Sequence, residues 1–158
     1  MTSSRKTLLV SACLLGTPCR FDGTHHRCAG LEGLDREYNV VQVCPETLGG
    51  LRSPRPPAEL RGGDGTQVLA GRAQVITATG QDVTQAFMAG ARQVLATAQT
   101  TGAVGAILKA RSPSCGKGRI YDGSFTGCLV AGDGVTTALL LQNGIPVWTE
   151  DEWLERKA

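Results

Sequence analysis

The chain predicts an α/β fold: a single compact domain with a Rossmann-like, mostly parallel sheet flanked by helices. Three observations carry this. Its 158 residues are the length of one ordinary domain, with no internal repeat and no boundary. Short β-prone runs alternate with helical periodicity, the pattern of layered α/β folds. Turn signals follow each run, and three of the runs stop at or near a cysteine.

In order, Lys6 to Ala12 is a continuous β-prone run leading into Cys13, and Tyr38 to Val43 is a second ending at Cys44-Pro45. Leu51 to Gly65 is rich in Pro and Gly and reads as a long loop, a lid or binding arm. Asp82 opens the clearest helix, with Gln85 placed to complete a capping box. Val83, Phe87, Ala91, Val94, Leu95 and Ala98 then recur at helical spacing, and Gly102 supplies the stop. Gly105 to Lys109 is a third strand, followed by the turn Ser112-Pro113-Ser114-Cys115-Gly116. A helix from Gly134 or Val135 to Gln142 precedes a fourth strand, Ile145 to Thr149. A short helix from Asp151 to Lys157 closes the chain with Trp153 and Leu154 facing inward.

Composition excludes several functions. Sixteen basic against fourteen acidic residues give a net charge of +2, too little to hold a long phosphate backbone, so long nucleic acid is not an expected partner. Three Phe, two Trp and two Tyr are too few for a base-stacking module. No apolar run approaches the roughly 20 residues of a membrane span, so no membrane partner is expected. Arg5 and Lys6 precede an apolar segment that lacks a signal cleavage site, and it reads as the first strand of a cytoplasmic protein. In that reducing compartment six cysteines are more readily metal ligands, nucleophiles or buried thiols than disulfides.

No close C-x2-4-C pair suggests a zinc ribbon. Cys13, Cys44 and Cys115 instead share one context, a strand end opening into a Gly- or Pro-containing turn, which suits an iron-sulfur cluster. Parallel sheets gather their strand-end loops at one site. Cys19, Cys28 and Cys128 lack that context and read as small buried side chains or spare thiols. His25 and His26, beside Arg27, read as a solvated pair and not as ligands. Gly62-Gly63-Asp64-Gly65 is followed by a β-prone or irregular segment, which argues against a nucleotide-binding Rossmann enzyme.

Ser11-Ala12-Cys13-Leu14-Leu15-Gly16, Arg20-Phe21-Asp22-Gly23, Cys44-Pro45-Glu46, Gly49-Gly50-Leu51, Pro54-Arg55 and Pro57-Ala58-Glu59 resemble successive motifs of the thiouracil desulfidase family. So do Thr79-Gly80-Gln81-Asp82-Val83-Thr84, Ile107-Leu108-Lys109, Ser112-Pro113-Ser114-Cys115-Gly116 and Ile120-Tyr121-Asp122-Gly123, and the resemblance spans about residues 8 to 150. It implies one iron-sulfur desulfidase-like domain over residues 1–158 that removes sulfur from a thiolated uracil, as base, nucleoside or nucleotide, without net redox change. It also implies a 4Fe-4S cluster held by Cys13, Cys44 and Cys115 with one iron left open to the thiocarbonyl sulfur. Glu46 is the expected proton acceptor, and Ser112 the second catalytic residue. Asp22, Lys109, Ser114 and Arg55 are expected to bind substrate, with Asp122 in reserve; Arg52, Arg55 and Arg61 together can receive a single phosphate. The expected partner is a small thiolated pyrimidine, and any homo-oligomer is expected to be weak. Simpler readings stand beside these roles: Cys-Pro-Glu as a turn, Lys109 snorkelling from a strand end, Ser112 and Ser114 merely shaping the turn at Cys115. The competing function is a non-catalytic iron-sulfur or zinc-binding redox or sensor protein, in which Cys19 or Cys28 supplies a fourth sulfur and closes the site.

Overall fold

A computed structural model describes residues 5–157, with side chains through Arg156. In chain order the elements are β1 (Thr7–Ser11), β2 (Asn39–Val43), α1 (Pro45–Leu48), β3 (Ala58–Arg61), α2 (Gly65–Leu69) and β4 (Gln74–Thr77). They continue with α3 (Thr84–Thr101), β5 (Gly105–Leu108), β6 (Arg119–Tyr121), β7 (Leu129–Ala131), α4 (Val135–Gln142), β8 (Val147–Thr149) and α5 (Glu150–Lys157). The four expected strands form one parallel sheet in the order β2-β1-β5-β8, with Leu9 opposite Val41 and Ala106, and Ile107 opposite Val10 and Trp148.

Side chains leave a strand alternately to either face, so each strand feeds two cores. Leu9, Ala106 and Leu108 pack with Val94 and Ala98 of α3 and Leu140 of α4. Leu8, Val10 and Ile107 pack on the other face with Leu14, Leu31, Leu34 and Trp153. Trp153 is 2% exposed and meets Trp148 edge to face at 5.2 Å, which fixes α5 under the sheet. A third cluster, including Leu60, Val75, Phe87, Ile120 and Val135, joins two antiparallel hairpins, β3–β4 and β6–β7, to α3 and α4.

The structure adds α1, β4, β6 and β7 to the elements expected, and it departs from the sequence reading at the segment 51–65 and at the start of α3. The segment 51–65 is not all loop: β3 lies within it, and α2 follows Gly62-Gly63-Asp64-Gly65 directly. That helix starts in a capping box. Asp64 accepts from the amides of Thr66 and Gln67, and Gln67 returns a bond to the Asp64 amide. The nucleotide-binding reading still fails, now because a carboxylate already fills the amides a phosphate would take. At α3 the expected box is absent: Asp82 accepts from the Thr84 amide, while Thr84 turns its hydroxyl to the Val75 amide and ties the helix to β4. Phe87, Ala91, Val94 and Ala98 are buried along α3 as its periodicity requires, and Gly102 ends it in a left-handed conformation.

Candidate active site

Cys13, Cys44 and Cys115 follow β1, β2 and β5, which are adjacent in the sheet. The chain adds β2 on one side of β1 and, after a crossover, β5 on the other, so the cavity opens at the carboxyl ends of parallel strands, at a topological switch point. Its volume is about 420 Å³, and all three cysteines line it. Each is held differently. Cys13 lies in a 3-10 turn directly after β1. Cys44 is the N-cap residue of α1, whose first helical position is Pro45, a favourable place for a residue without an amide proton. Cys115 sits in a turn closed by the bond from the Gly116 amide to the Ser112 carbonyl and pinned to α4 by the Thr137 hydroxyl, 2.7 Å from its own carbonyl.

Two glycines set the position of α1. A Cβ on Gly90 of α3 would lie 1.9 Å from the Pro45 carbonyl oxygen, and one on Gly49 would lie 2.0 Å from the Ala86 carbonyl oxygen. The two backbones therefore touch only because both positions lack side chains, and that contact carries Cys44 and Glu46 over the cavity.

The polar network around the cysteines is continuous. Ser112 Oγ accepts from the Cys115 amide at 2.8 Å and lies 3.3 Å from Ser114 Oγ, which donates to Glu46 Oε2 at 3.0 Å. With the Ser114 proton committed to the carboxylate, Ser112 is the donor between the two hydroxyls. Glu46 Oε1 accepts from Arg55 Nε at 3.1 Å and Nη2 at 2.9 Å. The remaining Arg55 donors go to the Cys19 carbonyl, the Arg52 carbonyl and Ser53 Oγ. All five guanidinium N–H groups are thus engaged, and Arg55 has no donor left for a ligand. In this arrangement Arg55 holds Glu46.

Hydroxyls also face the sulfurs. Thr47 Oγ1 lies 3.2 Å from Cys44 Sγ, and Ser11 Oγ, itself accepting from the Lys109 amide, lies 3.7 Å from Cys115 Sγ. Donors of this kind surround metal-bound thiolates. Without a cation, burial pushes the Cys115 thiol up to about 12. The Cys44 thiol is raised chiefly by its hydrogen bond with Cys19 and next by burial. Among the described residues no three His, Cys, Asp or Glu side chains are grouped to hold a single metal ion.

The other expected site residues divide. Lys109 lines the cavity, but its Nζ pairs with Glu150 Oε2 at 3.2 Å and donates to the Ala110 carbonyl. Asp22 and Asp122 are exposed and do not line it; each caps its own turn, at Thr24 and Ser124, and those bonds lower both carboxyls. Arg52 and Arg61 are also outside the cavity lining, the latter donating to the Gly123 carbonyl.

A model of the 2-thiouracil desulfurase family matches residues 8–152. The chain belongs to that family. An uncharacterised Bacillus subtilis (strain 168) protein, YbbK, is 48% identical over 145 residues, covering 92% of this chain and 96% of that one. A solved structure described as the 4Fe-4S-dependent thiouracil desulfidase TudS is 44% identical, covers 96% of this chain and 95% of its own, and superposes with a TM-score of 0.84. The α/β fold and the assignment to a desulfidase family expected from the sequence are borne out.

Three further groups stand at the cavity: Cys19, which the sequence offered only as the fourth sulfur of a closed site, and His26 and Glu59, to which it gave no role. Cys19 lies beside both Cys13 and Cys44, and the Cys13 contact raises its thiol most. His26 lines the cavity with its Nδ1 3.0 Å from Arg20, and burial, then Lys109, lowers the pKa of that ring; His25 is not among the lining residues. Glu59, the last residue of Pro57-Ala58-Glu59, lines it too. The place of Cys19 between two family motifs says nothing about which way its loop turns, so the sequence could not choose between it and Cys28 as a neighbour of the other thiols.

Proposed function

We propose that the protein hydrolyses the thiocarbonyl of a thiolated uracil to uracil and sulfide, with a 4Fe-4S cluster held by Cys13, Cys44 and Cys115. The observation that carries this reading is the placement of Glu46, with one carboxylate oxygen clamped by Arg55 and the other on Ser114, over a cavity lined by those three cysteines. When bound, the cluster supplies an iron free of protein ligands, a soft Lewis acid for the substrate sulfur. The chain does the rest. Glu46 takes a proton from water as the water oxygen bonds to the ring carbon, and the carbon–sulfur bond then breaks with no change of oxidation state. Ser114, which donates to Glu46 and is itself bonded to Ser112, holds the carboxylate in line. Lys109, neutralised by Glu150, fixes the loop between β5 and Cys115.

Arg20 and Arg111 line the cavity and form no salt bridge among the described residues. They take the place of Arg55 as the groups able to receive a phosphate, so a thiolated UMP is the preferred form of substrate.

Anaerobic reconstitution followed by a sulfide-release assay with thiouracil and thio-UMP tests this. Iron near the 4Fe-4S stoichiometry is expected, with turnover lost in Cys13→Ala, Cys44→Ala and Cys115→Ala. Glu46→Gln is expected to keep the cluster spectrum and lose turnover by about 10²-fold or more. Arg111→Ala is expected to raise KM for thio-UMP and leave that for thiouracil unchanged. A loaded protein that releases no sulfide from any thiolated pyrimidine would favour the sensor.

A further inference from the structure

We infer that Glu59 is a specificity-determining residue that accepts the N3–H of the pyrimidine ring, and so makes the site select uracil-type over cytosine-type substrates. This rests on the function proposed above.

Two acidic side chains, Glu46 and Glu59, line the cavity alongside the cysteines. Glu46 is held by Arg55 and Ser114, and its remaining acceptor site is the one assigned above to the attacking water. Glu59 is committed through one oxygen only: Oε1 accepts from the Gly123 amide at 2.9 Å and the Phe125 amide at 3.2 Å. Its Oε2 accepts no hydrogen bond among the described residues. A carboxylate oxygen beside a ligand cavity is a strong acceptor, and a uracil ring brings a donor for it.

The acceptor is held rigidly. Glu59 lies on β3 opposite Ile76 of β4, and the next residue, Leu60, is 2% exposed in the core, which anchors the strand. The Gly123 peptide is gripped on both sides from β3, by Glu59 at its N–H and by Arg61 Nη2 at its carbonyl. A Cβ on Gly123 would lie 2.6 Å from the Leu60 carbonyl oxygen, so the loop between β6 and β7 sits directly on β3. Phe125 is held in the left-handed region at φ 58, uncommon for a bulky residue, with its amide on Glu59. Fixing one oxygen by two backbone amides fixes the other, which is what discrimination through a single hydrogen bond requires.

N3 is the ring position that serves in every form of the substrate. It flanks the thiocarbonyl carbon in both 2-thiouracil and 4-thiouracil, and it stays protonated when N1 carries ribose. In a cytosine-type ring N3 presents a lone pair, and a carboxylate facing a lone pair repels it. A site built around a hydrogen bond rejects an analogue lacking the donor far more strongly than an apolar pocket rejects a methylene.

Equilibrium binding of UMP, N3-methyl-UMP and CMP to the reconstituted protein reads this without turnover. UMP is expected to bind about tenfold or more tightly than either analogue, the scale of a hydrogen bond to a charged group. In Glu59→Gln the amide oxygen still accepts from Gly123 and Phe125 and keeps the loop, while a donor replaces the free acceptor. The gap between UMP and CMP is expected to collapse to about threefold or less, by loss of the same bond. Glu59→Asp, which draws the charge back by one methylene, is expected to fall between, and serves if the Gln variant does not fold. An undiminished gap in either folded variant overturns the inference, and so does equal binding of all three nucleotides by the parent protein. Sulfide release from thiouracil by the same preparation is scored separately: its absence would sink the functional reading and leave the nucleotide comparison standing.

Discussion

Arg55 is the residue whose surroundings the sequence indicated least. Its sequence neighbours, three prolines and Arg52, suggest an arm reaching for a phosphate, but its charge partner is Glu46, nine residues earlier in the chain. Pairings across separate loops leave no periodic trace, whereas strand-end cysteines do, and that is why Cys13, Cys44 and Cys115 were legible and the clamp on Glu46 was not. The pair is largely buried, with side chains 9% and 15% exposed, so removing one partner leaves the other uncompensated. Arg55→Ala is expected to lower kcat by about 10²-fold through misplacement of Glu46, with KM for thio-UMP changed little. A rise in KM alone, at constant kcat, would return Arg55 to substrate binding. Cys19 supplies the second test at this scale. Because it adjoins Cys13 and Cys44, it is the natural fourth ligand of a closed site. Cys19→Ser is expected to retain the cluster and most of the turnover; loss of iron in step with loss of a thiolate would instead identify a closed four-sulfur centre.

The elements that sequence reasoning placed correctly are those with a repeating burial pattern: α3, whose apolar face continues for 18 residues, and the strands buried on both sides, such as β5. The elements it missed are short and lean on one or two side chains. Within β3 only Leu60 is buried, and within β6 only Ile120. Such strands are formed by tertiary contact with α3 and α4, and local propensity is too weak to announce them. The same limit applies to the crossing of α1 over α3, which depends on two glycines 41 positions apart in the chain, Gly49 and Gly90. Gly90→Ala places a methyl against the Pro45 carbonyl, and the helix cannot yield because Ala91 and Val94 beside it are 0% exposed. The expected result is destabilisation by about 1–3 kcal/mol, as for other overpacked sites, read as a lower urea midpoint. A larger fractional loss of turnover is expected too, because α1 carries both Cys44 and Glu46. Retained activity at reduced stability would show that α1 can shift without moving its carboxylate.

At the scale of the molecule, the carboxyl end of the sheet is held together by loops, while its two faces are held by cores. The cysteines that line the cavity come from loops after three adjacent strands, and a side-chain bond from Glu150, at the end of β8, extends the set by capping the Ala110 amide at 2.8 Å. A group bonded at once to Cys13, Cys44 and Cys115 would add a tie between three chain segments that the hydroxyl and guanidinium network already links, so its binding free energy adds directly to folding. Cluster loading is therefore expected to raise the unfolding temperature, by about 2–4 °C for each kcal/mol in a chain of this size. Each of Cys13→Ala, Cys44→Ala and Cys115→Ala should abolish that increment, because losing one ligand loosens the whole tie; Cys28→Ala and Cys128→Ala should leave it intact. Calorimetry of the loaded and chelator-treated protein under anaerobic conditions measures the difference. Equal midpoints would mean that the loops after β1, β2 and β5 are already fixed by protein contacts alone, and that the cluster binds a preformed cradle rather than helping to build one.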